Sequence, residues 1–217
     1  MLSNDPHPGD RRHLDLRSAI RKRQILDGAR QVFLLNGYSG ASMEEITAQT
    51  GASKGSIYHH FDSKDVLFKS LIRAEAERIA RSLPSPDPDD PDPGSALRQI
   101  GIAVLEALDN PGTVATLRLI IGALGRFPHL GEEFLQDSLG PMVERITVYL
   151  DVRMAAGDVR VGDTRAAAEQ FARRCLSHVM ERVLVPDRPR QTEAERAVLV
   201  VGVLRDLGLT THSNEDV

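Results

Sequence analysis

The sequence predicts an all-α protein, a small N-terminal helical bundle followed by a larger one. Three observations carry this. No stretch of the 217 residues alternates apolar and polar with the period of two that a strand needs. Apolar residues recur instead at helical spacing, as in Ile25, Ala29, Val32 and Phe33. Helix starts and stops fall between these stripes, including two serine or threonine capping boxes, Ser42–Glu45 and Thr192–Glu195.

In chain order, residues 1–15 are polar with two prolines and are predicted to be a disordered tail. A helix is predicted from about Leu16 to Asn36, closed by Gly37, which takes a left-handed conformation without a Cβ clash. Ser42 caps a helix of about two turns that ends near Gly51, and Ser53 caps a second short helix reaching His60 or Phe61. Asp62 or Ser63 starts a longer helix to about Ser82, the connecting helix of residues 63–82. Residues 84–94, PSPDPDDPDPG, hold five prolines and four aspartates, which cannot form a helix and repel one another. They predict an exposed acidic linker over 83–95. Coarse helices follow at 95–109, 112–126, 130–155, 163–184 and 192–208, forming a second domain over 96–210, with residues 211–217 as a tail.

Composition narrows the function classes. The chain is 41% hydrophobic and 27% charged, with no apolar run near the ~20 residues that span a membrane. One cysteine allows no intrachain disulfide, which fits a reducing, cytoplasmic compartment, and the N-terminus has no apolar core of a secretory signal. The net charge is −4, but residues 11–60 carry eight Lys and Arg against four acids, so a basic module precedes an acidic body. No nucleophile elbow, phosphate loop, metal-ligand cluster or spaced carboxylate pair is present, so no catalytic residue, metal ligand or cofactor is assigned.

The short helices at 42–62, joined by a tight glycine turn and preceded by a longer basic helix, have the helix-turn-helix pattern that places its second helix in the DNA major groove. Ser42 and Ser53 sit at helix starts, where hydroxyls and amides can hold phosphate, although they are caps whatever else they do. Lys54 suits a phosphate or a guanine edge, Gly55 lets the backbone approach, and Ser56 can donate or accept. Tyr58, His59 and Lys64 have polar tips fit for phosphate, while Ile57 and Phe61 lie four apart and anchor the helix to its core.

The stretch ASMEEITAQTGASKGSIYHHFDSKDVLFKSL resembles the DNA-binding region of tetracycline-repressor (TetR) family regulators. Ile46, Gly51, Ser53, Lys54, Gly55, Tyr58, His60, Phe61, Ser63, Lys64 and Leu67 fall on the family's pattern over about residues 18–70, whereas Thr47 and Thr50 stand where it usually has alanines. The resemblance implies an N-terminal three-helix helix-turn-helix DNA-binding domain over 16–62, with Ser42, Lys54, Gly55, Ser56, Tyr58, His59, His60 and Lys64 on the DNA. His60 can serve either DNA or core. It also implies a homodimer whose larger helical bundle binds a small effector and then releases the operator.

Residues 113–180 are more loosely similar to the C-terminal domain of multidrug-efflux (AcrR-like) repressors. Helix 192–208 is apolar nearly all round, and 163–184 carries a stripe of Phe171, Cys175 and Val179. Together they predict a dimer interface through Phe171, Val179, Val198, Val201 and Leu204. Arg118 interrupts an apolar run; buried, it would need a partner such as an anionic ligand, and otherwise it is exposed or paired with a carboxylate. Phe127, Phe134, Met142, Tyr149, Phe171, Cys175 and His178 suit pocket walls, and core packing accounts for most of them equally well. The resulting expectation is an effector-responsive repressor on a near-palindromic operator. The alternative is an architectural or division-control DNA-binding protein with no inducer.

Overall fold

The computed structural model describes residues 8–209, with side chains from residue 16, and divides after Ile72 into two compact units. Nine helices and no strand occur among the described residues. None of these helices is long and apolar enough to cross a membrane.

In the first unit, α1 (Pro8–Gly40) starts eight residues ahead of the expected Leu16. Residues 8–15 are therefore helical and not a disordered tail. Proline is pre-set for the first helical position, and no further proline follows until Pro84. Residues 1–7, and the expected tail 211–217, lie outside the described residues. The helix breaks where the glycine signal places the break, at Gly37 (φ 68°). α2 (Met43–Thr50) begins with the Ser42–Glu45 capping box and ends on left-handed Gly51. α3 (Lys54–His60) is capped by Ser53, whose Oγ accepts from the Ser56 amide at 3.1 Å. α4 (Lys64–Ser82) is capped by Ser63, which accepts from the Val66 amide.

The core of this unit is the apolar stripe of α1 set against Met43, Ile46, Ile57, Phe61, Leu67 and Phe68. Each such side chain fully buried contributes about 1.5–3 kcal/mol. Phe33 and Phe68 meet edge to face at 5.0 Å. Gly28 lets α1 and α2 come together, since a Cβ there would lie 2.5 Å from Thr50 Cγ2 and 3.3 Å from its Cα. Phe61 and Ile57 are buried as their spacing predicts, which fixes the roll of α3 and turns its other face outward.

In the second unit, α5 (Pro93–Leu108), α6 (Pro111–Ala123), α7 (Leu130–Ala156), α8 (Thr164–Leu184) and α9 (Glu193–Asp206) match the predicted spans to within three residues. Their starts are chemical: Asp92 then Pro93, Asn110 then Pro111, Asp163, and the Thr192–Glu195 box. α5 packs on α8 and α9, and α8 also packs on α6 and α7. The α5 contact is close because Gly101 has no side chain; a Cβ would lie 2.6 Å from Val200 Cγ1 and 3.0 Å from Phe171 Cζ. The acidic segment before α5 is mostly exposed but is fastened at points. Pro86 and Pro93 are buried, the Tyr149 hydroxyl donates to the Asp90 carbonyl at 2.8 Å, and Asp92 caps α5.

Candidate nucleic-acid interface

The outer face of α3 begins at its cap. Ser53, Lys54 and Gly55 are exposed, Ser56 is half-buried, and Tyr58 and His59 are exposed further along. Lys54 Nζ lies 3.2 Å from Glu44 Oε1, with both side chains well over half exposed. So exposed a pair contributes little and is readily exchanged for a phosphate. Glu44 is held below the usual carboxylate range by its own backbone hydrogen bond first, then by Lys54. A Cβ on Gly55 would meet nothing within 4 Å, so the bare backbone there leaves room on the outer side without being required by internal packing. Ser42 is half-buried and already engaged, its hydroxyl donating to Glu45 Oε2 at 2.8 Å and accepting from the Glu45 amide.

His60 is half-buried, its ring 5.1 Å from that of His59. Its pKa is depressed, by burial first and then by the charges of His59, Lys22 and Arg21. Those last two residues entered the sequence reading only as part of a charge count. Their position beside the end of α3 follows from the face of α1 they occupy, four and three residues before buried Ile25.

Lys64, expected at a phosphate, is engaged within the first unit. Its ammonium donates to the carbonyls of Tyr38 at 2.9 Å and Ala41 at 2.8 Å and lies 4.5 Å from the Tyr38 ring centroid. The Tyr38 hydroxyl in turn bonds the Asp65 carboxylate. The first turn of α4 thus clamps the segment after the Gly37 break, and the donors of Lys64 point inward.

The residues expected to line an effector pocket separate in the structure. Arg118 is exposed, not buried, and its guanidinium donates to the carbonyls of Val183 (2.9 Å) and Arg182 (2.6 Å) at the end of α8. This satisfies it without a ligand. Phe127, Phe134, Met142, Tyr149, Phe171 and Cys175 are all buried in the core. Burial pushes the Cys175 thiol up to about 12, and burial first, then Asp90, pushes the Tyr149 phenol to about 12. His178 is half-buried and lines a groove of about 570 Å³ between α8 and α9, with Glu181, Arg182, Arg190, Val198 and Leu199.

The expected interface residues divide in the same way. Phe171, Val179 and Leu204 belong to the protomer's own core at 0%, 1% and 2% exposure, which leaves them no surface for a second chain. Val198 and Val201 lie outside, at 73% and 36%. A further cluster had no sequence signal beyond a presumed helix break. Asp109, 1% exposed, accepts from Arg182 Nη1 and from the Gln191 amide at 3.2 Å, with Arg190 Nε at 3.8 Å. It ties the ends of α5 and α8 to the loop before α9.

Two short capped helices on a basic first helix, with the outer start of the second left bare, define a helix-turn-helix DNA-binding protein. The family models agree along the chain. "Bacterial regulatory proteins, tetR family" matches residues 25–71, and "AefR-like transcriptional repressor, C-terminal domain" matches 95–205. The chain belongs to the TetR family of transcriptional regulators. It is 48% identical over 62 residues to the HTH-type transcriptional repressor Rv1474c of Mycobacterium tuberculosis, covering 29% of this chain and 33% of that protein. It is 44% identical over 59 residues to the HTH-type transcriptional repressor AcnR of Corynebacterium glutamicum, covering 27% and 31%. The matched stretch therefore spans about a third of the length of these curated relatives. Among solved structures, the Flavonoid-responsive Regulator FrrA is similar at 28% identity and a TM-score of 0.73, over 87% of this chain and 95% of that one. A TetR-family regulator from Mesorhizobium loti gives 25% and 0.73, over 88% and 96%.

Proposed function

We propose that the protein is a transcriptional repressor that binds a near-palindromic operator as a homodimer in the cytoplasm and is released by a small lipophilic effector. The observation that carries the DNA contact is the exposed start of α3, where Ser53, Lys54 and Gly55 stand free of internal packing duties apart from the cap. Ser56, Tyr58 and His59 continue that surface, and Ser42 adds a hydroxyl at the start of α2. Two copies are needed because a near-palindromic site is read by two recognition helices about one DNA turn apart. The surface that fits a second copy is the outer side of α9 at Val198 and Val201, beside the groove that holds His178. Repression accords with the names of the curated relatives, and a lipophilic effector with the flavonoid response in the name of a similar regulator. Effector binding in the second unit would act by population shift, with α4 running from that unit into the first.

The test begins with duplexes selected by the unaltered protein from a random-sequence pool. Lys54→Ala should weaken binding to the selected duplex by about 1–3 kcal/mol, read by fluorescence anisotropy at fixed salt, while light scattering still finds a dimer. Unchanged affinity would remove Lys54 from the recognition surface.

A further inference from the structure

The groove that holds His178 continues along both α8 and α9. Its larger part, about 570 Å³, lies against the segment before α9 and is lined there by Arg182, Arg188 and Arg190. A smaller part, about 340 Å³, passes Gly202 to reach Arg174 and Asp206. The two share His178, Val198 and Leu199, so they form one trough. Its larger part alone falls within the roughly 300–1,000 Å³ of small-molecule sites. Among the residues expected to line an effector pocket, His178 is the one found here.

The two ends of the trough differ in charge. At the far end Arg174 is closed on Asp206. At the near end the carboxylates are already committed. One oxygen of Asp109 takes Arg182 and the other takes the Gln191 amide, while Glu195 accepts from the amide and hydroxyl of Thr192. Arg188 pairs with Glu181 at 2.7 Å. Of the three arginines Arg190 has the weakest tie, its Nε lying 3.8 Å from the Asp109 oxygen that Gln191 occupies, with its side chain 47% exposed. It is therefore the cation most open to an added anion.

Between these ends the lining is apolar, on Val198, Leu199 and Val203, and it includes Gly202. Glycine inside a helix is destabilising relative to alanine. A Cβ on Gly202 would meet nothing within 4 Å, so packing inside the protomer does not call for glycine there. The missing side chain instead keeps the trough open along α9.

We propose that the trough between α8 and α9 binds an amphipathic carboxylate, with its acid group on Arg190 and its apolar chain over Val198 and Leu199 toward Gly202. This gives the lipophilic effector proposed above a place and a chemical class, and it rests on that reading for its regulatory consequence. Val198 also belongs to the surface offered to a second copy, so the bound chain would lie beside the seam between protomers. Occupancy and dimer geometry would then be reciprocally coupled.

The test is isothermal titration calorimetry of the full chain with decanoate, hexanoate and decan-1-ol. Decanoate should bind once per chain, and the uncharged alcohol about tenfold or more weakly. Arg190→Ala should weaken decanoate by a similar factor and leave decan-1-ol as it was, whereas Arg190→Lys should keep part of the affinity. Gly202→Leu should weaken decanoate and spare hexanoate, because the added side chain occupies only the tail end. Neither position is packed, so neither alanine nor leucine should lower the melting temperature. Decanoate bound equally by the unaltered protein and both of these variants, or by none, would overturn the inference. So would an affinity that falls as rising protein concentration drives the dimer together, since the trough would then be the partner's seat. A compound that releases the selected duplex equally from all of these proteins would also overturn it, while leaving the effector reading in place with its site elsewhere. Decanoate bound as expected with no effect on the selected duplex would keep the site and remove its regulatory role.

Discussion

Lys64 gives the sharpest test of how the first unit is built. Replacing it by alanine removes two charge-assisted hydrogen bonds, to the Tyr38 and Ala41 carbonyls, and the ammonium over the Tyr38 ring. Hydrogen bonds to charged groups contribute about 1.5–3 kcal/mol each, and a partly exposed cation–π contact about 0.5–1 kcal/mol. Ala41 is buried but Tyr38 is only half-buried, so water can take over part of what is lost. The lower ends of those ranges therefore apply, giving about 3.5 kcal/mol. For a unit of this size each kcal/mol moves the melting temperature by about 4–8 °C, so the drop should be on the order of 15 °C. The assay is differential scanning calorimetry beside circular dichroism, with Lys64→Met as the companion that keeps the apolar stem. If Lys64→Ala melts like the unaltered protein yet binds the selected duplex more weakly, the ammonium serves DNA and the clamp reasoning is wrong.

Two further outcomes follow from the second unit. Asp109→Ala leaves Arg182, whose side chain is 14% exposed, with only the backbone carbonyl of residue 109 and no counter-charge there, and frees the Gln191 amide; breaking such a pair costs about 3–5 kcal/mol, so calorimetry should show a melting temperature lower by on the order of 10 °C. Asp109→Asn, which keeps an acceptor, should lose less. Val198→Asp should leave protomer melting unchanged, because Val198 is 73% exposed, and should convert dimer to monomer in sedimentation velocity; a dimer of unaltered affinity would place the interface elsewhere.

Most of the fold was legible because its boundaries are written in local chemistry. A capping serine or a glycine at positive φ acts within three or four residues, and Ser42, Ser53, Gly37, Gly51 and Thr192 all act where they stand, whereas Pro93, read as part of the linker, is already the first residue of α5. The outer face of α3 was legible for the same reason, since burying Ile57 and Phe61 dictates which residues turn outward. What escaped is what depends on distant partners. Lys64 bonds carbonyls 23 and 26 residues earlier, and Arg118 bonds carbonyls 64 and 65 residues later. Spacing on one helix cannot reveal such partners. Apolar periodicity is similarly blind to layers. α9 is apolar on nearly every side, and only the packing of α5 and α8 against it decides that Val200, Val203 and Leu204 go inward while Val198 and Val201 stay outside.

The same distinction between local and distant effects governs charge. A net charge of −4 argues against a polyanionic partner only if DNA senses the whole chain at once. At physiological salt, interactions between exposed charges fade over about 8 Å, so DNA meets the sign of the surface it touches. In the DNA contact proposed above that surface holds Lys54, and the acid nearest it, Glu44, is an exposed partner it can leave. The acidic surplus lies elsewhere in the sequence, four aspartates of it in the segment before α5. Such a surplus lowers non-specific attraction to nucleic acid at long range and low salt while leaving the short-range contacts intact. The chain's overall negative charge is therefore compatible with tight binding, and it favours sites where the basic face can seat fully over sites where it meets DNA only in passing.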